Sequence, residues 1–356
     1  MPIPLISHTA NTARWWRRSR MLAIVAIVGL HLCLLGAQHS ALVPAAMAEL
    51  TRYLPYYWLL GVGAVALVLS IRLPLAWFLI GTANVLLIAT VTMGLVWNSP
   101  ESGMAAGPKV RVLTYNVKAF YAVHHPGGLE ALAAEIRRFQ PDIVALQDAD
   151  SWVVGRSESA VVLVPPMFGL PHVVAIGQYV LASRYPLSGC EPGHIDVPNE
   201  HHRYLRCKAQ IGGKEVQLVT AHFVSPRAAL TATRRNLLGG FKTWESDFLD
   251  RQTQARTLAK DLSALRRPLV VMGDLNAPEG SMTVETLKSI GLRDAFSMAG
   301  WGYGYTHGHS LARGLNFLRI DHVLISPDIT AVHSEVGGRE ASEHNPVIAD
   351  LVLRPD

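Results

Sequence analysis

Asp274 and Asn276 stand two positions apart at the end of the apolar run Leu269-Val270-Val271-Met272-Gly273, just before Ala277-Pro278. Such a run predicts a buried strand, and a period of two puts the carboxylate and the amide on one side of its end. A carboxylate and an amide oxygen so placed suit a hard divalent cation, or a water about to attack phosphorus. Gly, Asp, Asn and Pro are also ordinary turn residues, so this stretch alone reads equally well as a strand running into a turn. Recurrence tips the balance. Lys109–Val117 alternates and carries Asn116 near its end, and the run from Asp142 closes on Gln147 and Asp148. Glu215–Phe223 carries His222, Leu318–Ile325 carries Asp321, and Glu343 and His344 lead directly into Val347–Leu353. A single histidine after an apolar strand is more often structural, and His222 gains interest only from this company.

The elements that must position these residues are mostly strands. Gly177–Pro186 and Tyr204–Ile211 read as antiparallel strands, and Glu215–Phe223 as a third. Leu129–Phe139 has helical spacing and stops at Pro141. Ala228–Leu265 reads as polar helical material, amphipathic through Ala255, Leu258, Ala259 and Leu262, with Arg234, Arg235, Arg251 and Arg256 on a solvated face. Strands in hairpin-like succession with helices between others favour two packed mixed sheets over one doubly wound parallel sheet.

The first hundred residues have a different character. Arg14, Arg17, Arg18 and Arg20 precede an apolar run from Met21 to about Gln38, and two more runs follow, Tyr53–Ile71 and Leu73–Trp97. Each is about long enough for a bilayer core of ~30 Å. The chain therefore divides into a basic cytoplasmic start (1–20), a membrane domain of about three transmembrane helices (21–97), a linker (98–108) and a large soluble domain (109–356). The first run also has the form of a signal peptide, with Ala46-Met47-Ala48 as its small-residue site. Flanking arginines place the N-terminus inside, and either version puts the soluble domain on the outer side of the membrane. His31, within the first run, is expected to face another helix.

Charge follows the same division. Of 32 Lys and Arg and 27 Asp and Glu, six and two precede Ser102, leaving 26 against 25 downstream. A near-neutral soluble domain gives no electrostatic footprint of nucleic-acid binding, although a local basic groove stays compatible with it. Cys33 lies in an apolar run, while Cys190 and Cys207 flank a polar loop between strand-like runs, either bridged or as separate thiols.

Thr114-Tyr115-Asn116-Val117, Leu146-Gln147-Asp148, Leu181-Ala182-Ser183-Arg184-Tyr185-Pro186, Thr220-Ala221-His222, Gly273-Asp274-Leu275-Asn276-Ala277-Pro278, Arg319-Ile320-Asp321-His322 and Ser342-Glu343-His344 follow one another in a familiar order. In this the chain resembles the endonuclease/exonuclease/phosphatase superfamily, from about Lys109 to Leu353. The resemblance implies a four-layer α/β sandwich, here preceded by transmembrane helices, and Mg²⁺- or Mn²⁺-dependent hydrolysis of a phosphoester. By the same resemblance Asn116 and Asp148 hold the metal, with Glu343 at or near the site. Asp274 orients the attacking water or binds metal, and Asn276 positions water and phosphate. His222 and His344 contact phosphoryl oxygens, with Asp321 holding the imidazole of His344.

Two positions depart from the family pattern, which normally has Glu where this chain has Asp148 and Asp where it has Glu343. One exchange shortens a metal ligand by a methylene and the other lengthens its neighbour. The expectation is a membrane-anchored phosphoesterase of a bacterial inner membrane, acting outside on a nucleic acid, a phospholipid or a small phosphodiester. Its partners would be that substrate and the lipid bilayer, with no obligate protein partner. The competing expectation is a binding or scaffold protein that keeps the fold without turnover.

Overall fold

The computed structural model describes residues 7–98, 106–153, 155–197, 200–308, 314–338 and 342–355, in two compact units, Met1–Leu95 and Val96–Asp356. The first unit contains α1 (Ser7–His39), α2 (Ala45–Thr51), α3 (Tyr57–Ser70) and α4 (Leu75–Leu87), the last continued by a π-helical turn, Ile88–Thr92. Two helical stretches, Thr12–His39 and Leu75–Thr92, are long and apolar enough to cross a bilayer. The middle apolar run is shorter than expected. Pro55 precedes it and Arg72, at φ +70°, turns the chain after it, leaving a helix of 14 residues. At 1.5 Å per residue that is ~21 Å, short of a bilayer core. The third run also ends early, because its helix stops at Thr92 and Trp97 belongs to the second unit. His31 does face another helical segment, its ring nitrogens each 2.8 Å from Asn84 Oδ1 and Thr92 Oγ1.

β1 (Val96–Trp97) opens the second unit, and most of the expected linker, 99–105, lies outside the described residues. β2 (Lys109–Asn116), β3 (Ile143–Gln147), β4 (Val162–Val164), β5 (His172–Ile176) and β6 (Tyr179–Ser183) belong to one sheet. β7 (Leu187–Val197), β8 (Glu200–Ile211), β9 (Lys214–His222), β10 (Leu269–Asp274) and β11 (Arg293–Asp294) belong to the other. β12 (Trp301–Gly302) pairs with β1; β13 (Asp321–Ile325) joins the second sheet, and β14 (Ile329–Val336) and β15 (Val347–Leu353) join the first. The orders are β14-β15-β2-β3-β6-β5-β4 and β11-β13-β10-β9-β8-β7. Both sheets are mixed: β2 runs parallel to β3 and β9 parallel to β10, with antiparallel neighbours elsewhere.

Alternation along the strands sorts the core into three layers. Val112, Ala145, Leu181, Leu205, Leu218, Val270, Met272 and Val323 meet between the sheets. Leu113, Tyr115, Val144 and Leu146 face outward onto α5 (Gly128–Arg138) through Leu132 and Ile136. Val219, Val271 and Leu324 face the other way, onto α6 (Leu237–Ser263) and α7 (Met282–Lys288). Helix, sheet, sheet and helix make the expected four-layer α/β sandwich. Within it Cys190 and Cys207 are joined by a disulfide between β7 and β8.

One arginine departs from its expected place. Arg234, Arg235 and Arg256 are exposed, but Arg251 is 1% exposed, its guanidinium 5.1 Å from the ring of fully buried Trp244. The planar, weakly hydrated guanidinium tolerates an aromatic face that a lysine ammonium would not.

Candidate active site

Strand parity decides which side chains reach the space between the sheets. On β10 residues 270 and 272 point inward, so Asp274 does too; on β2 residues 110 and 112 carry the same parity to Asn116. On β9 it reaches His222, and on β13 Asp321 shares it with Val323 while His322 takes the opposite face. His322 accordingly pairs with Asp294 Oδ2 at 3.0 Å, away from the other histidines. Register then aligns the acids. Asp274 lies opposite His222 on one neighbouring strand and opposite Asp321 on the other. Gly273 makes this approach possible, since a Cβ there would sit 1.9 Å from the carbonyl oxygen of Ala221.

Asp274 is fully buried, and four groups converge on its Oδ2: Asn116 Nδ2 at 2.9 Å, Asn276 Nδ2 at 3.4 Å, His222 Nε2 at 3.5 Å and His344 Nε2 at 3.7 Å. Its Oδ1 accepts the backbone N–H of Asn276 at 2.8 Å, and Asn276 also donates to the carbonyl of Phe223 at 2.9 Å. His344 Nδ1 donates to Asp321 Oδ2 at 2.9 Å. Asp274, Asp321 and His344 present ligand atoms all within 4.8 Å of one another. Every residue of the expected catalytic set, His222, Asp274, Asn276, Asp321 and His344, therefore stands in one contact network.

The expected metal set is less united. Asp148 sits one residue beyond β3 with φ +50°, its Oδ2 paired to Lys118 Nζ at 2.5 Å and its Oδ1 3.3 Å from His222 Nδ1. Glu343 Oε1 is 2.9 Å from Arg227 Nη2. Asn116 turns its amide nitrogen to Asp274, and its Oδ1 accepts the backbone N–H of Lys118 at 3.2 Å. Asp148 and Glu343 thus do not join the Asp274–Asp321–His344 cluster; each is held by a cation of the chain itself.

Several participants have partners that the sequence does not announce, Gln147 and Arg319 from within quoted motifs and Gln178 and Tyr179 from outside the expected set. Gln147, pointing inward from β3, spans the two sheets below the site through Thr114 Oγ1 (3.1 Å) and Thr220 Oγ1 (2.8 Å). Gln178 Oε1 accepts from His222 Nδ1 at 2.6 Å, and Tyr179 Oη accepts the His222 backbone N–H at 3.0 Å. Arg319, part of the Arg-Ile-Asp-His motif, points away from the cluster to Asp294 Oδ1 at 2.5 Å.

Charge in the site follows from burial and neighbours. Burial alone would raise Asp148, but His222 and Lys118 reverse this and hold its carboxyl well below the usual range. Burial and then the facing Asp321 push Asp274 up against the pull of His344 and His222. Burial would lower both imidazoles, yet Asp148 lifts His222 and Asp321 lifts His344 above the ordinary histidine value. Asp321 Oδ1 and His222 Nε2 are buried with no hydrogen-bond partner among the described residues. Hard oxygens, an acid burdened by a second acid and an unsatisfied carboxylate oxygen together fit a divalent cation.

A sequence model of the Endonuclease/Exonuclease/phosphatase family matches residues 113–344, more than half of the chain. No curated protein matches at the level of sequence. Among solved structures, an endonuclease/exonuclease/phosphatase from Beutenbergia cavernae is similar at 22% identity, covering 69% of this chain and 72% of its own with a TM-score of 0.48. One from Bacteroides vulgatus is similar at 18% identity, covering 69% and 99% with a TM-score of 0.49. A mannosyl-6-phosphatase from Bacteroides thetaiotaomicron is similar at 17% identity, covering 68% and 100% with a TM-score of 0.43.

Proposed function

Because the chain belongs to the endonuclease/exonuclease/phosphatase family, we propose that it is a membrane-anchored, metal-dependent hydrolase that cleaves a phosphodiester at the cluster around Asp274. The observation that carries this reading is the convergence of an amide and two imidazoles on one buried carboxylate oxygen, Asp274 Oδ2. Asp274, held above the usual carboxylate range, takes the proton of an attacking water. Asn276 fixes its orientation through the backbone bond to Oδ1. His344, kept charged by Asp321, and His222, kept charged by Asp148, supply positive charge where phosphoryl oxygens gain negative charge. Mg²⁺ or Mn²⁺ would be held by oxygens of Asn116 and Asp274 and, where Lys118 and Arg227 give way, of Asp148 and Glu343, and would neutralise phosphoryl charge and acidify a bound water.

The test uses the full chain in detergent with bis(p-nitrophenyl) phosphate and Mg²⁺ or Mn²⁺. Metal-dependent turnover that disappears in Asp274→Ala is the expected result. No turnover with either ion, or undiminished turnover in the variant, overturns the proposal. Parallel assays on plasmid DNA and on phospholipid vesicles divide the substrate classes.

Placement outside the cytoplasm is part of the same proposal. Two helices long enough to span, the arginines ahead of the first and Arg72 between α3 and α4 support three crossings with the N-terminus inside. For α3 this requires local thinning of the bilayer. The Cys190–Cys207 bond supports an oxidising compartment. A C-terminal alkaline phosphatase fusion is expected to be active in cells, and an inactive fusion would overturn the orientation.

A further inference from the structure

Lys118 is a cation at the cluster, paired to Asp148, to which the proposed mechanism gives no task. It follows β2 by two residues and adopts a left-handed backbone, φ +45° and ψ +48°, uncommon for any residue but glycine. Its backbone N–H donates to Asn116 Oδ1 at 3.2 Å, the N–H of Ala119 donates to the carbonyl of Asp148 at 2.9 Å, and its ammonium meets Asp148 Oδ2 at 2.5 Å. Asp148 is itself left-handed at φ +50°. Two unfavourable backbone conformations thus face each other and are tied by an ion pair and a main-chain bond. Strain of this kind persists only where the surroundings over-determine it, and it concentrates at sites that work.

The consequence is local competition. Lys118 engages a carboxylate oxygen of Asp148 through its ammonium and the amide oxygen of Asn116 through its backbone N–H, both atoms that a divalent cation would need. The two side chains of the pair remain 20% and 25% exposed, so the flexible lysine stem has a way out to solvent.

We infer that Lys118 is a built-in competitor for the divalent metal at Asp148, and that the metal affinity of the chain is set by the displacement of its ammonium. The inference rests on the metal reading proposed above. A doubly charged ion outbids one ammonium for a carboxylate at sufficient concentration, so Lys118 weakens metal binding without forbidding it.

Mn²⁺ binding to the full chain in detergent, followed by electron paramagnetic resonance of the free ion, tests this without any turnover. Lys118→Met removes the competing charge and is expected to bind Mn²⁺ about tenfold more tightly, ~1.4 kcal/mol. Lys118→Arg keeps the charge and is expected to bind like the parent, while melting curves report the folding of both. Equal or weaker binding by a folded Lys118→Met overturns the competition while leaving the metal site in place. No Mn²⁺ bound by any of the three proteins overturns the metal reading and the competition together.

Discussion

His344 and Asp321 form a hydrogen-bonded pair, Nδ1 to Oδ2 at 2.9 Å, that aims the other ring nitrogen at Asp274. The pair has a signature in pH. The folded value of His344 lies above its ordinary one, so between the two the folded chain binds the extra proton. Stability from this pair is complete below about pH 6.5 and declines as the pH rises through the folded value. In Asp321→Asn that decline is expected to shrink in melting temperatures measured between about pH 6 and 9, with Asp274 still lifting the imidazole. The basic limb of the turnover profile should also move to lower pH. Curves superimposable on those of the parent would remove Asp321 from this role.

Asp274 gives the same sign from a different cause. Its carboxyl is raised by burial and Asp321, so unfolding releases its proton and stability falls as the pH rises through that window. Asp274→Asn keeps the shape, drops the buried charge and is expected to melt at the same or a higher temperature at neutral pH. Turnover should fall by about 10³-fold. A variant that melts lower and turns over normally would contradict both expectations.

Arg251 tests burial apart from catalysis. Truncation to Ala removes a buried guanidinium from the face of Trp244 and is expected to cost about 2–4 kcal/mol. Denaturant midpoints should show the loss, with turnover per folded molecule unchanged.

The Cys190–Cys207 bond closes a loop across 17 positions, for which the expected contribution is about 3 kcal/mol. The double serine variant should unfold at correspondingly lower denaturant and be indifferent to reductant, whereas the parent should fall to its level when reduced. A parent insensitive to complete reduction would assign the bond no stabilising part.

Of the expected catalytic residues, Asp274, Asp321 and His222 were legible because each is a polar group at the inward parity of an apolar strand, as is Asn116 of the expected metal set, whereas Asn276 and His344 lie just outside the strands they adjoin. Parity also separates Asp321 from its neighbour His322, although both stand in one motif. Partners supplied by distant segments were not legible. Nothing in the spacing of Lys118 or Arg227 announces a carboxylate 30 or 116 positions away, because such pairs are fixed by sheet order. The same holds for the bridge of Gln147 to both sheets and for the disappearance of Arg251 into the protein. The short middle helix has a local cause, Pro55 and Arg72, which hydrophobicity alone passes over.

His222, Asp274 and Asp321 occupy one rung across β9, β10 and β13. Their relative positions are therefore set by main-chain ladders whose spacing of about 4.8 Å is common to all sheets, and owe little to the loops. One residue inserted into β10 would send Asp274 to the opposite face and dismantle the whole rung at once. The surrounding loops face no such constraint. Such a chain is free to change what it admits to the site while what it does there stays fixed, and engineering of its specificity belongs in the loops beyond the strand ends.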